Sequence, residues 1–379
     1  MLEGISFLND RPSFKIPEIE GMTLYSTIWS YEKPGIPPDV EVIHRERIGR
    51  RAVFRVVRKM RSGDAILLNG ALGARDLWFD MLLAIYLRFF KRSVGVLVSD
   101  ATWHPRSVPV SSRAKTLFPL YAWFLRQLFR MAAGAHTYFG FLSTDEVALV
   151  TREARLQPGA VRFTPFCSQL PLEIMDELNR IAADQREANA QRAAAGLPSR
   201  PMKFFAGGNS LRDYETLAVA ARSLDGEFTV ATSNVVRDVP SNMKLAPVSH
   251  YDFFREMMRS DVVILPLLPI TGRSVGQQTY LNALGLGKPL IVTDCIGVRD
   301  HLTPGVHALV VPPGDPAALR GAIEWMLAPA NRAARDAMAR AGRQLAEQMT
   351  FAHYAAHLCN VLKEIQAQLP MKTGSLASR

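Results

Sequence analysis

Residues 262–294 read VVILPLLPITGRSVGQQTYLNALGLGKPLIVTD. An uninterrupted apolar run opens the stretch, as suits a strand covered on both faces. A loop follows, then a helical pattern from Gln277 to Leu286, and a tight Gly-Lys-Pro turn leads into a second apolar run, PLIVTD. The intervening helix is the crossover that parallel neighbours require. The stretch predicts a βαβ unit.

The same alternation extends in both directions. Downstream, ALVVPP reads as a strand and Pro316 to Met326 as a helix; upstream come KFFAGG as strand and loop, a helix from Tyr214 to Ser223, EFTVATS as a strand and a helix from Tyr251 to Arg259. An Ala, Arg and Gln-rich segment from Glu173 to Arg200, closed by GLPSRP, has few large apolar residues and reads as a domain linker. Before it, strands at Ala65 to Gly70, Val94 to Asp100, Thr137 to Ser143 and Val161 to Phe166 alternate with helices at Arg75 to Arg92, Phe118 to Ala133 and Glu146 to Leu156. Pro119 sits in the first turn of one helix, and Ser143, Thr144 and Asp145 offer caps for another. The predicted fold is α/β, with two Rossmann-like doubly wound domains facing a cleft. The first domain spans 1–172, a helical linker 173–200, the second domain 201–350 and a closing helix 351–369, with 370–379 as a disordered tail.

A chain of 379 residues with 48% hydrophobic content is long enough for two such domains and too apolar to be largely disordered. No uncharged run reaches the roughly 18 residues of a spanning helix, and the first residues, MLEGISFLNDRPSF, lack the basic start and apolar core of a secretory signal. The three cysteines, Cys167, Cys295 and Cys359, are too scattered for a disulfide framework, so a reducing cytoplasm is the expected location. The net charge of +10 asks for an anionic partner without choosing among nucleic acid, lipid headgroups and a nucleotide. Placement narrows the choice. Basic and large apolar residues are interleaved between Trp78 and Arg130, above all in KTLFPLYAWFLRQLFRMAAG, where Lys115, Arg126 and Arg130 share a segment with Trp123, Phe124 and Phe129. An anionic membrane surface is therefore a candidate partner, with peripheral attachment at the inner face of the cell membrane, and nucleic acid is not expected. A core helix with snorkelling arginines, or a dimer face, is the competing reading.

FAGGNSLRDYETLAVAA, DVVILPLL, NALGLGKPLIVTD, GVRDHL and GVHALVVPPGDPAALRGAI occur in that order between about Met202 and Leu327. As a series they resemble the donor-binding domain of GT-B glycosyltransferases, nearest to glycosyltransferase family 4. The resemblance implies a nucleotide-sugar donor on the second domain, an acceptor on the first, and a closing helix, Tyr354 to Leu369, that crosses back to the N-terminal domain.

It also implies site residues. Gly207 and Gly208 would leave bare backbone beside a diphosphate, with Asn209 next to them, and Arg212 would clamp that diphosphate with paired donors. A plain turn with a solvated arginine is the alternative. The family's acidic pair, separated by seven residues, aligns with Ser274 and Asn282, so both carboxylates are missing. Asn282 can still meet a ribose hydroxyl or fill a gap between domains, while Ser274 alters sugar recognition. Gly276, Gln277, Gln278 and Thr279 precede or open a helix whose N–H groups suit a pyrophosphate; otherwise Thr279 is a cap and the two glutamines face water. No D-x-D motif occurs, so neither a metal nor another cofactor is expected, and Arg212, Lys288 and the helix N-terminus would take up the phosphate charge.

In the first half, Asp100 ends an apolar strand and is the candidate catalytic base, or else a turn-forming residue; His104 could orient the acceptor or act as base. Asn69 follows another strand and reads as a turn residue or an acceptor contact. The expected function is transfer of a sugar from a nucleotide diphosphate to a lipid-linked or polysaccharide acceptor, retaining or inverting. A nucleotide-sugar hydrolase or epimerase, or a non-catalytic nucleotide-sugar-binding partner subunit, is the alternative.

Overall fold

The computed structural model describes residues 24–26, 40–42, 54–69, 74–99, 118–269 and 272–369. The chain divides into two compact units: residues 166–269 with 275–350 form one, and the described residues up to Pro165, with 272–274 and 351–369, form the other. Asp100, His104, Lys115 and the tail 370–379 lie outside the described residues.

In the N-terminal unit the elements run β1 (Leu24–Ser26), β2 (Val40–Val42), α1 (described over 54–59), β3 (Ala65–Asn69), α2 (Ala74–Phe90), β4 (Gly95–Ser99), α3 (Phe118–Ala132), β5 (Thr137–Phe141), α4 (Thr144–Ala154) and β6 (Val161–Phe163). Their sheet has the order β2-β1-β3-β4-β5-β6, parallel throughout. Strand alternation sends Ile66, Leu68, Val96 and Val98 into a core with Met81 and Leu87 of α2 and Leu125 and Phe129 of α3. Helix α4 starts where its cap dictates: the Ser143 side chain accepts from the Glu146 N–H.

The C-terminal unit contains α5 (Met175–Ala194), β7 (Met202–Gly207), α6 (Tyr214–Ala221), β8 (Gly226–Ala231), β9 (Met243–Ala246), α7 (His250–Arg259) and β10 (Val262–Leu265). It continues with α8 (Gln277–Gly285), β11 (Leu290–Thr293), α9 (Val298–His301), β12 (Leu309–Val311), α10 (Pro316–Leu327) and α11 (Arg332–Glu347). The order β12-β11-β10-β7-β8-β9, again all parallel, is doubly wound: the chain builds outward from β7 on one side and from β10 on the other. Adjacent Phe204 and Phe205 point to opposite faces. Phe204 stacks on Phe228 at 4.7 Å, and Phe205 meets Phe253 edge-on at 5.1 Å. The segment read as a linker contains α5, which packs on α7, where Arg255 Nε and a terminal nitrogen donate to the two Glu177 oxygens at 2.7 and 2.9 Å.

Helix α12 (Phe351–Ala367) belongs to the N-terminal unit and packs on β4. Gly95 admits it, since a Cβ there would come within 2.7 Å of Ile365. Tyr354 and Ser99 hydroxyls share a hydrogen bond of 2.9 Å, and the Tyr138 hydroxyl donates to Gln368 at 2.6 Å. Among the described residues no helix is long and apolar enough to cross a membrane.

Candidate functional site

Strands β7 and β10 are neighbours whose following segments lead to opposite sides of the sheet, so a crevice opens beyond their carboxyl ends, where doubly wound sheets bind ligands. Two backbone pairings cross it. Leu268 N–H donates to Leu211 O at 3.1 Å and Asp213 N–H to Pro266 O at 3.0 Å. They hold Leu211 in the left-handed region (φ 58°), a costly conformation for a leucine, and so set the aim of Arg212 beside it. The Arg212 guanidinium lies at the crevice, donating to Gly207 O (3.1 Å), Ser210 O (2.6 Å) and Thr279 Oγ1 (3.1 Å). The structure thus brings together the arginine after β7 and the threonine in the first turn of α8.

The glycine pair is occupied by protein. A Cβ at Gly207 would come 2.4 Å from the Phe253 ring, and one at Gly208, where φ is +109°, would come 2.9 Å from the Arg212 guanidinium. Bare backbone here lets Phe253 pack and leaves room for the arginine. Asn209 is exposed and joins two loops: its Oδ1 accepts from Thr232 Oγ1 (2.9 Å) and Ser233 N–H (2.8 Å).

Helix α8 starts at Gly276, whose φ of +80° and surroundings require glycine, since a Cβ would sit 2.8 Å from Leu265. No side chain caps the helix and no acidic residue occupies its first turn, so its N-terminal N–H groups keep their positive field. The residues around that turn divide. Thr279 is half-buried and receives Arg212, whereas exposed Gln278 donates from Nε2 to Gln169 Oε1 at 3.0 Å. Gln277 is buried and hydrogen-bonds the Tyr280 hydroxyl, which lies 2.8 Å from His301 Nδ1. Its side chain faces the interior. Asn282 is also buried, with Oδ1 accepting from the Gln169 N–H at 2.6 Å.

Ser274 belongs to the N-terminal unit, where its hydroxyl donates to Glu146 Oε2 at 2.9 Å, as does Ser143 Oγ at 2.9 Å. Burial pushes the Glu146 carboxyl above the usual carboxylate range, opposed by these donors. Glu146 escaped the sequence reading. The Ser143-x-x-Glu146 spacing of a capping box was its only signal, and that signal speaks of a helix start rather than of a partner 128 residues away.

Among the described residues no carboxylate pairs with Arg212. Its guanidinium is satisfied by carbonyls and a hydroxyl, and burial draws its pKa below the ordinary arginine value. The neighbouring Tyr214 phenol, donating to Gly208 O at 2.7 Å, is pushed up to about 12 by burial and stays neutral. Lys288 does not share this crevice: its ammonium, lowered to about 8 by burial, donates to Met258 O and Ser260 O at the end of α7. Among the described residues no group of three or more His, Cys, Asp or Glu is arranged to hold a metal ion. The side chain of Asn69, last residue of β3, is outside the described set.

Residues 232–329 match the family model of glycosyl transferases group 1. The fold is similar to that of the sucrose-phosphate synthase of Thermosynechococcus elongatus, at 16% identity, with 90% of this chain and 88% of that one covered and a TM-score of 0.59. HepE from Anabaena, solved in complex with UDP-glucose, is 13% identical over 86% of each chain with a TM-score of 0.56. The trehalose 6-phosphate synthase of Burkholderia multivorans is 13% identical, covering 84% of this chain and 74% of that one, with a TM-score of 0.56. No curated protein sequence matches. The likeness to these structures is one of fold. The architecture is the GT-B one, and the C-terminal unit is similar to the donor-binding domain of glycosyltransferase family 4.

Proposed function

We propose that the chain is a glycosyltransferase that moves a sugar from a nucleoside diphosphate sugar to a lipid-linked or polysaccharide acceptor, working at the cytoplasmic face of the membrane. One observation carries the reading: a guanidinium without a carboxylate partner among the described residues meets the first turn of an uncapped helix at the topological switch point of a doubly wound sheet. Two sources of positive field converge on one place, and a diphosphate is the anion that this fold takes there. The match to group 1 glycosyl transferases over 232–329, which includes α8 but begins after Arg212, supports the same reading.

In this reading Arg212 and the α8 N-terminus meet the charge that grows on the departing diphosphate, and because both are fixed before reaction they cost no reorganisation during it. The transferase needs no added metal. Transfer therefore persists in excess chelator, and a loss of activity that magnesium or manganese restores would contradict this part. Asp100, in the segment after β4, takes the acceptor proton if the reaction inverts configuration, and positions the sugar if it retains. The test is titration calorimetry with a panel of uridine, guanosine and adenosine diphosphate sugars, begun with UDP-glucose because HepE is solved with it. The reading expects saturable binding of at least one donor, weakened roughly 10- to 100-fold in Arg212→Ala, as loss of charged hydrogen bonds implies. Absence of binding across the panel overturns it.

A further inference from the structure

Much of the apolar surface that the described residues leave exposed is gathered on three helices of the N-terminal unit. Phe54 of α1, Leu82, Phe89 and Phe90 of α2, and Leu120, Trp123, Phe124 and Met131 of α3 are all exposed, Phe90 by 74% and Trp123 by 54%. Their spacing places them on outer faces: Leu120, Trp123, Phe124 and Met131 follow a helical stripe opposite the core-facing Leu125, Leu128, Phe129 and Ala132. The two longer helices are in contact and their register is fixed, because one Arg88 terminal nitrogen donates to Arg130 O (2.7 Å) and Met131 O (2.8 Å) at the end of α3. Counting back six residues on each helix from that anchor brings Leu82 level with Phe124, and counting forward brings Phe89 and Phe90 level with Met131. The stripes are thus one surface. Aromatic contacts extend it onto α1, with Phe54 and Tyr86 centroids 5.1 Å apart and Tyr86 and Phe90 5.2 Å apart.

Among the described side chains, cations outnumber carboxylates around this surface. Arg126 is engaged with Glu153 at 3.7 Å and Arg130 Nε donates to Ala154 O at 2.7 Å, so the arginines that the sequence offered for a headgroup layer have partners within the fold. The available cations come from elsewhere: Arg55, Arg58 and Lys59 of α1 and Arg92 beyond α2, all exposed. Among the described side chains of 79–92 and 120–132 the only carboxylate is Asp80, which is buried.

We infer that the outer face of α1, α2 and α3 docks on an anionic lipid surface, with Trp123, Phe124, Phe89 and Phe90 entering the headgroup layer and Arg55, Arg58, Lys59 and Arg92 meeting lipid phosphates. Charge complementarity selects this occupant over a second copy of the chain, which would bring like-charged rims face to face. The surface gives the proposed function its membrane setting, but the docking is testable without any sugar donor.

The test is co-sedimentation of the full chain with vesicles of phosphatidylglycerol and phosphatidylcholine against vesicles of phosphatidylcholine alone. Expected is binding to the anionic vesicles that falls with salt and is at least tenfold weaker in both Phe90→Ser/Trp123→Ser and Arg58→Glu/Lys59→Glu. Circular dichroism and calorimetry with the donor that the wild type binds confirm that each variant is folded. Those data also separate failure of docking from failure of the transferase reading. No binding to anionic vesicles, or binding that both double variants retain, overturns the proposal. So does a dimer in sedimentation velocity that Phe90→Ser/Trp123→Ser dissociates, since the surface would then belong to a second copy.

Discussion

Arg212 occupies its position because the backbone leaves it little choice. Pairing between the segments after β7 and β10 fixes Leu211 in a left-handed conformation, and Gly208 offers the guanidinium the space a Cβ would fill. Lysine would keep the charge but lose the planar fork, so Arg212→Lys is expected to recover less than half, in free energy, of the donor affinity lost in Arg212→Ala; full recovery would mean that a point charge suffices. Glu146 gives a prediction about pH. Its carboxyl is raised by burial, so the native state binds this proton at higher pH than the unfolded chain, and its contribution to stability is lost as pH rises from the ordinary glutamate range through the raised value. Glu146→Gln can accept the same two serine hydrogen bonds without ionising. Its urea midpoint should gain on the wild type between pH 4 and pH 8, and parallel curves would contradict that assignment. The resemblance to the family pointed to Arg212, and the structure sets its guanidinium against Gly207 O and Thr279 Oγ1. The burial of Gln277 and Asn282 was not legible, because the rotation of α8 about its axis decides which way they face, and the packing of Tyr280 and Leu281 sets that rotation.

Elements were read well wherever a strand was buried on both faces. The stretch 262–294 forms β10, α8 and β11 as its apolar runs and Gly-Lys-Pro turn require. Strand β9 was missed because it lies at the sheet edge and buries only Met243 of its four residues, leaving no alternation to detect. Helix α9, with four residues, is shorter than a periodicity can reveal. Two substitutions probe how elements are held. Gly276→Ala forces a side chain into a left-handed position against Leu265 and Leu267 and should cost about 1–3 kcal/mol, read by chemical denaturation, and weaken donor binding by disturbing the first turn of α8. Tyr354→Phe strands the fully buried Ser99 hydroxyl and should cost about 1–2 kcal/mol; an unchanged midpoint would show that the α12 contact is held by packing alone.

At the scale of the molecule, the closing helix packs on β4 of the N-terminal unit, so deleting residues 351–379 should expose that strand and yield insoluble or unfolded protein in that unit. Division of labour between the units predicts that Asp100→Asn keeps donor affinity and loses transfer, measured with labelled donor and membrane lipid extract. Retained turnover would remove Asp100 as base. Asp100 was legible only as the residue after an apolar strand, and β4 does end one residue before it. The measurement that bears most directly on the whole account is a crystal structure of the protein with the uridine diphosphate sugar it binds. The account predicts diphosphate oxygens within hydrogen-bonding distance of the Arg212 guanidinium and of the N–H groups that open α8. A diphosphate seated away from both would contradict it.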